Sequence, residues 1–365
     1  MLQIELIYHF LFDNLFKDFK FSHLSNGVPS LDKILTTSDL AIYEKKEGLE
    51  HVILFYDQEP LSDLIKPYIE ILSGGNKELY PLLTLASSEK SADVYQLCKE
   101  HNFSSLYYFF HGFAALDWFR GYYALNYNKQ VAIHYEKDFI TFNRTITGNR
   151  AYRKTFVNQL RVNNLLDKGF VSYGVGDEDI GEERSVIDGD YIPASASADI
   201  PRTIEPSDQF INDTPNYNAF WHIVTETVFY HPKLHLTEKI FKPIVSKQPF
   251  MLLAAPGNLQ YLRSYGFKTF GDVIDESYDL IEDGDARIDA VVAQMKWYCN
   301  LPQEEKSRVI EHLAPIVEYN FQHFYGKFRE IITDELLDNT KKLFREIGYD
   351  DSGVDYDTVR KLLTS

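Results

Sequence analysis

Cysteine is nearly missing from this chain of 365 residues: it has two, Cys98 and Cys299. Two thiols build neither a disulfide framework nor a cysteine-based zinc site, so a reducing compartment is the default expectation. No apolar run approaches the roughly 18 residues that cross a bilayer. The apolar stretch Ile4–Phe16 lacks a basic n-region and is broken by Glu5, His9, Asp13 and Asn14, so it reads as folded structure and not a signal peptide. Together these absences point to the cytoplasm. Basic residues are in deficit, 37 Lys and Arg against 54 Asp and Glu for a net charge of −17, which disfavours indiscriminate nucleic-acid binding. GxxxxGK[ST], GxGxxG and HExxH are all missing, and with them the P-loop, dinucleotide and zinc-hydrolase readings. There is no internal repeat and no low-complexity tract.

What is present is an ordinary globular composition, 44% hydrophobic and 25% charged. At about 150 residues per domain the length predicts two domains. His51–Tyr56 and Ser105–Phe110 read as strands ending in polar residues, with helix-like segments at 61–72 and 91–100 between them around Gly74-Gly75. A second alternating unit follows: a strand over 219–228, a helix over 237–246, a buried strand over 248–255, a helix over 259–265 and a further strand over 268–274. Helical periodicity then runs through 286–299 and 304–347. Alternating strands and helices predict parallel sheets, whose ligands sit beyond the strands' carboxyl ends.

Charge is distributed unevenly. Residues 129–161 hold seven cations against Glu136 and Asp138 and read as an anion-facing surface; residues 174–215 hold eleven acids and read as a solvated insertion. Asp188-Gly189-Asp190 and Asp283-Gly284-Asp285 have metal-binding spacing but lie in turn-like sequence, so no metal is assigned to them. His222, His231 and His235 read as packed or surface residues, and Lys242 as surface.

The most informative residues are Val224-Thr225-Glu226 and Leu236-Thr237-Glu238-Lys239-Ile240-Phe241-Lys242, followed by the apolar run from Gln248 and by Ala255-Pro256-Gly257. With Thr141-Phe142-Asn143-Arg144 and the helix opening at Tyr152-Arg153, this order resembles the donor-binding signature of the α1,3-fucosyltransferase and exostosin-like glycosyltransferases over residues 139–280. There a Glu in a strand-end FEN-type motif precedes a Thr-Glu-Lys that opens a helix. The resemblance implies two Rossmann-like domains facing each other across a cleft (GT-B-like) with a helical tail. Residues 1–138 would form the acceptor side, 139–320 the donor domain, and 321–365 a tail packing back on the first domain. It implies donor-binding roles for Asn143, Arg144, Arg153, Glu226, Thr237, Glu238 and Lys239.

The chemistry fits those residue types. A nucleotide-sugar donor loses a diphosphate of about two negative charges, which calls for cations and helix amides at the leaving group. Lys239 and Arg153 both fall in first helical turns. A Lys there opposes the helix dipole and so looks for an anion. Thr237 and Glu238 also suit an ordinary helix start, the one as cap and the other as dipole partner. An inverting transfer needs a base, and the resemblance places it in the first domain, where Asp57, Glu59, His111 and Asp117 are candidates. The expected activity is metal-independent transfer of a sugar from a nucleotide-sugar donor, without a further cofactor, to a glycan or surface polysaccharide. The alternative acceptor, for a chain of phage type, is a hydroxymethylated DNA base. A nucleotide-sugar-binding module without catalysis is the alternative from another class.

Overall fold

The computed structural model describes residues 14–16, 19–23, 51–56, 60, 82–129, 135–143, 146, 148–173 and 218–364. The chain divides into two compact units: Met1–Asp117 with Arg329–Ser365, and Trp118–Phe328. Both are α/β, each built on a parallel sheet of four described strands.

In the first unit β1 (Lys20–His23), β2 (His51–Phe55), β3 (Leu82–Ser87) and β4 (Ser104–Tyr107) lie side by side in chain order. Helix α1 (Ala92–Glu100) connects β3 to β4; it begins where the Ser91 hydroxyl caps the Val94 amide, and it buries Val94, Leu97 and Cys98. Two C-terminal helices complete this unit, α9 (Arg329–Ile347) and α10 (Tyr356–Thr364). The Asn339 amide of α9 donates to the Tyr107 carbonyl at 3.0 Å, and Arg360 of α10 pairs with Asp334 of α9.

The predicted strand Ser105–Phe110 is cut short. β4 ends at Tyr107, and Phe110 opens helix α2 (Phe110–Trp118), which carries His111 and Gly112 in its first turn. Eight of its nine residues are buried, from Phe110 to Asp117. A helix buried all round has no polar stripe, and so no helical period to read.

The second unit orders its strands β6-β5-β7-β8, with β5 at Lys137–Thr141, β6 at Gly169–Val171, β7 at Ala219–Thr225 and β8 at Phe250–Leu253. All seven residues of β7 are buried, as a central strand covered on both faces requires. Around the sheet lie α3 (Tyr122–Asn126), α4 (Tyr152–Val162), α5 (Phe241–Val245), α6 (Asn258–Ser264), α7 (Gly284–Cys299) and α8 (Gln303–His323). Helix α4 joins β5 to β6 and buries Tyr152, Arg153, Phe156, Val157 and Leu160, one face at helical spacing.

The strand predicted over 268–274 does not form. Phe267, Phe270 and Ile274 are buried at spacings of three and four, not the two of a strand, and side chains satisfy the backbone in place of a ladder. Asn320 of α8 accepts from the Lys268 amide and donates to its carbonyl, both at 2.8 Å, and Glu276 accepts from the Phe270 amide at 2.7 Å. Residues that favour strands, Thr269, Phe270, Val273 and Ile274, thus sit here without a sheet partner.

Candidate functional site

In the second sheet β6 lies on one side of β5 and β7 on the other, so the connections leave β5 and β7 in opposite directions. The crevice beyond the carboxyl ends of β5 and β7 is therefore a topological switch point, where open α/β sheets bind ligands. The Thr225 hydroxyl, ending β7, donates across it to the Phe142 carbonyl at 3.0 Å. Asn143, also past β5, is fully buried and tied to the end of β6: its amide donates to the Ser172 hydroxyl at 2.8 Å and its side chain to the Ser172 carbonyl at 3.1 Å. Among the described residues the Asn143 Oδ1 has no hydrogen-bond partner.

Glu226 follows β7 directly and is completely buried. Its carboxylate accepts from the Thr227 amide at 3.1 Å, the Thr237 amide at 3.0 Å and the Thr237 hydroxyl at 2.7 Å. Three donors on one buried carboxylate make it the organiser of the loop 226–237. Helix α4 holds the same point from the other side. Tyr152 donates to the Glu226 carbonyl at 2.6 Å, and Arg153 to the Thr225 carbonyl at 2.7 Å. Burial raises the Tyr152 phenol and so keeps its donor proton, although the Arg153 charge opposes this.

Thr237 caps the short helical segment Glu238–Ile240 that leads into α5. The Lys239 ammonium lies 2.9 Å from a Glu238 carboxylate oxygen, 3.2 Å from the Thr237 hydroxyl and 3.5 Å from that of Thr227, with its side chain 20% exposed. Thus Arg153, Glu226, Thr237, Glu238 and Lys239 gather around one strand end, with Asn143 at the neighbouring one. Arg153 is 3% exposed, and its bonds to β7 carbonyls make it a buried tie between α4 and the crevice.

Two anchors of this loop had no sequence signal. The Arg287 guanidinium of α7 donates to the Phe229 carbonyl at 2.6 Å and to the carbonyls of Ile281 and Glu282, and lies 4.2 Å over the Phe229 ring. That ring stacks on Tyr152 with centroids 3.9 Å apart. Asn258, opening α6, donates to the Lys233 carbonyl at 2.9 Å and accepts from the His235 amide at 3.1 Å. The preceding Gly257 has φ of +84°, a left-handed conformation that suits glycine.

Lys242, read from sequence as a surface residue, is buried in α5 with its ammonium 5.7 Å from the Phe142 ring centre. An aromatic face at this distance holds the charge that solvent otherwise would. His222 on β7 is packed, as read. Burial, with the Lys242 charge adding to it, pushes its imidazole down to about 3, against a weaker opposing hydrogen bond with Gln248. The unfolded chain binds this proton near pH 6.5, the native state only near 3, so stability present above 6.5 is lost as pH falls towards 3. His222→Asn should therefore lose less stability than the wild type between pH 7 and pH 4, by on the order of 3 kcal/mol at ~1.4 kcal/mol per unit. Urea titrations at the two pH values measure it; equal acid-side losses would clear His222 of this role.

The remaining candidates fall elsewhere. Asp57, Glu59, Arg144 and Asp188-Gly189-Asp190 lie outside the described residues, as do residues 174–217. His111 and Asp117 are buried in α2 and belong to the first unit. Asp283 caps α7 by accepting from the Ala286 amide at 2.8 Å. Among the described residues no group of three or more His, Cys, Asp and Glu is placed to hold a metal ion, and no helix is long and apolar enough to cross a membrane. The cations of 129–161 are used separately: Lys129 donates to the Ser246 carbonyl, Lys137 to the Asp167 carbonyl and Arg161 to Asn158.

No protein-family model matches the chain, and neither a curated protein nor a solved structure matches it.

Proposed function

We propose that this chain is a glycosyltransferase whose second unit holds a nucleotide-sugar donor at the β5/β7 switch point. The supporting observation is the convergence there of Asn143, Thr225, Glu226, Thr237 and Lys239 from separate segments. Lys239 supplies a partly exposed positive charge for the donor diphosphate. Glu226 fixes the loop that presents it, and Glu238 is placed beside the ammonium to receive sugar or ribose hydroxyls. Arg153 acts in this reading by holding the end of β7 and lending the crevice its charge.

The acceptor, a glycan or polysaccharide hydroxyl, is assigned to the first unit, which would face the donor unit across a cleft in the GT-B manner. The acceptor's proton passes to a base on that side, drawn from Asp57, Glu59 and His111. The donor is a co-substrate; the proposal includes no metal, and a cytoplasmic setting in which Cys98 and Cys299 stay free thiols.

A thermal-shift panel of GDP-, UDP-, CMP- and dTDP-sugars tests the donor site. One nucleotide class at a hundred times its Kd should stabilise the native state by about 2.7 kcal/mol. For a domain of this size that is a rise of several degrees. A flat response to all four would count decisively against a donor crevice.

A further inference from the structure

The first unit contains a cavity of about 300 Å³ between α1, β4 and α9. Its floor is buried and largely apolar: the Cys98 thiol, the Tyr107 ring and Leu343. Its rim carries two exposed lysines from opposite walls, Lys99 in the last turn of α1 and Lys342 on α9. Among the described residues neither ammonium has a carboxylate partner. The one acid of the lining, Glu346, already accepts from the Ser104 hydroxyl at 3.3 Å. In a chain of net charge −17, two cations facing one hollow of mixed polar and apolar lining form a local reversal of sign.

We propose that this cavity binds a small organic anion: a single planar ring seated on the Cys98, Tyr107 and Leu343 floor, with its charged group between Lys99 and Lys342. The volume lies at the lower end of small-molecule sites, about 300–1,000 Å³, and fits one ring better than a dinucleotide or an oligosaccharide. Asn339 fixes the wall, since its amide ties α9 to the Tyr107 carbonyl. Tyr95, 55% exposed at the rim, adds a second ring face. The Cys98 thiol is pushed up to about 12 by burial and the Glu346 charge, which keeps it protonated as a wall and not a nucleophile. This site is independent of the donor crevice, since every residue of it belongs to the first unit.

Phenyl phosphate is the probe, with inorganic phosphate and phenol as its two halves, followed by saturation-transfer NMR and calorimetry on the full chain. Phenyl phosphate should bind at least tenfold more tightly than either half. Lys99→Ala with Lys342→Ala should weaken it by about 5- to 30-fold, as the loss of two exposed charge contacts implies. Both lysines are exposed, so the melting temperature should hold. Ser105→Phe, which fills the hollow, should abolish binding; should that variant not fold, the double lysine variant decides. No transfer to phenyl phosphate, or transfer unaltered in the double lysine variant, overturns the proposal. Because the readout is phenyl phosphate and not nucleotide sugar, it fails or succeeds separately from the donor reading.

Discussion

Lys239→Ala should lower turnover by about 10²–10³-fold with the nucleotide sugar that the thermal-shift panel selects, because the lost charge is one that stabilises the departing diphosphate. Some stability should be lost as well. The Lys239 side chain is 20% exposed and that of Glu238 10%, so the pair is largely buried, and stranding the Glu238 carboxylate should cost about 1–3 kcal/mol. A fall in kcat in a variant that is destabilised but still folded at the assay temperature is therefore the expected pattern, measured by steady-state kinetics beside a denaturation curve. Lys239→Arg should restore part of the rate, since it returns the charge with a different donor geometry. Turnover within twofold of wild type in the folded alanine variant would remove Lys239 from the chemistry.

The largest effect on stability is expected at Glu226. Its carboxylate is the acceptor for the Thr227 amide, the Thr237 amide and the Thr237 hydroxyl, all buried. Glu226→Ala leaves these donors without that acceptor, at about 1–3 kcal/mol for each group stranded away from water. A total of about 3–9 kcal/mol for the three groups is a large fraction of the 5–15 kcal/mol that holds a typical domain together. Glu226→Gln keeps one acceptor oxygen and should fall between wild type and alanine. Donor binding should weaken in the same order, because the loop carrying Lys239 is held by those bonds. Equilibrium urea unfolding gives the ranking. An alanine variant within 0.5 kcal/mol of wild type would show that the loop is held by Tyr152, Arg287 and Asn258 without the carboxylate.

Much of the second unit was legible in the chain. Phe250–Leu253 is buried on both faces and forms a short apolar run, so pattern alone located it. Asn258–Ser264 and Gly284–Cys299 carry a helical period. Ser91, the first residue of the helix read over 91–100, caps α1, whereas Asp283, read as part of a turn, proves to cap α7. Elsewhere the reading failed. Phe110–Trp118 shows no polar face, and Lys268–Ile274 is rich in residues that favour strands while its backbone bonds to Asn320 and Glu276. Lys242 looked like surface because a lysine is almost never fully buried unless paired, and its aromatic neighbour lies a hundred residues earlier.

The candidate site divides along the same line. By itself the sequence determined the local chemistry: a threonine able to cap, an acid and a lysine in the turn after it, and a glutamate closing a run of β-formers. Those follow from residue type and short spacing, which act within one or two helical turns. Only the tertiary structure decided that Thr237 would donate to Glu226, 11 residues away, and that Arg153 would reach Thr225 across 72 residues. It alone placed Arg287 beneath Phe229 and reversed the strand order between β5 and β7. Such contacts depend on how parallel strands are ordered and how helices close over them, and strand order is set by packing between segments that carry no record of one another.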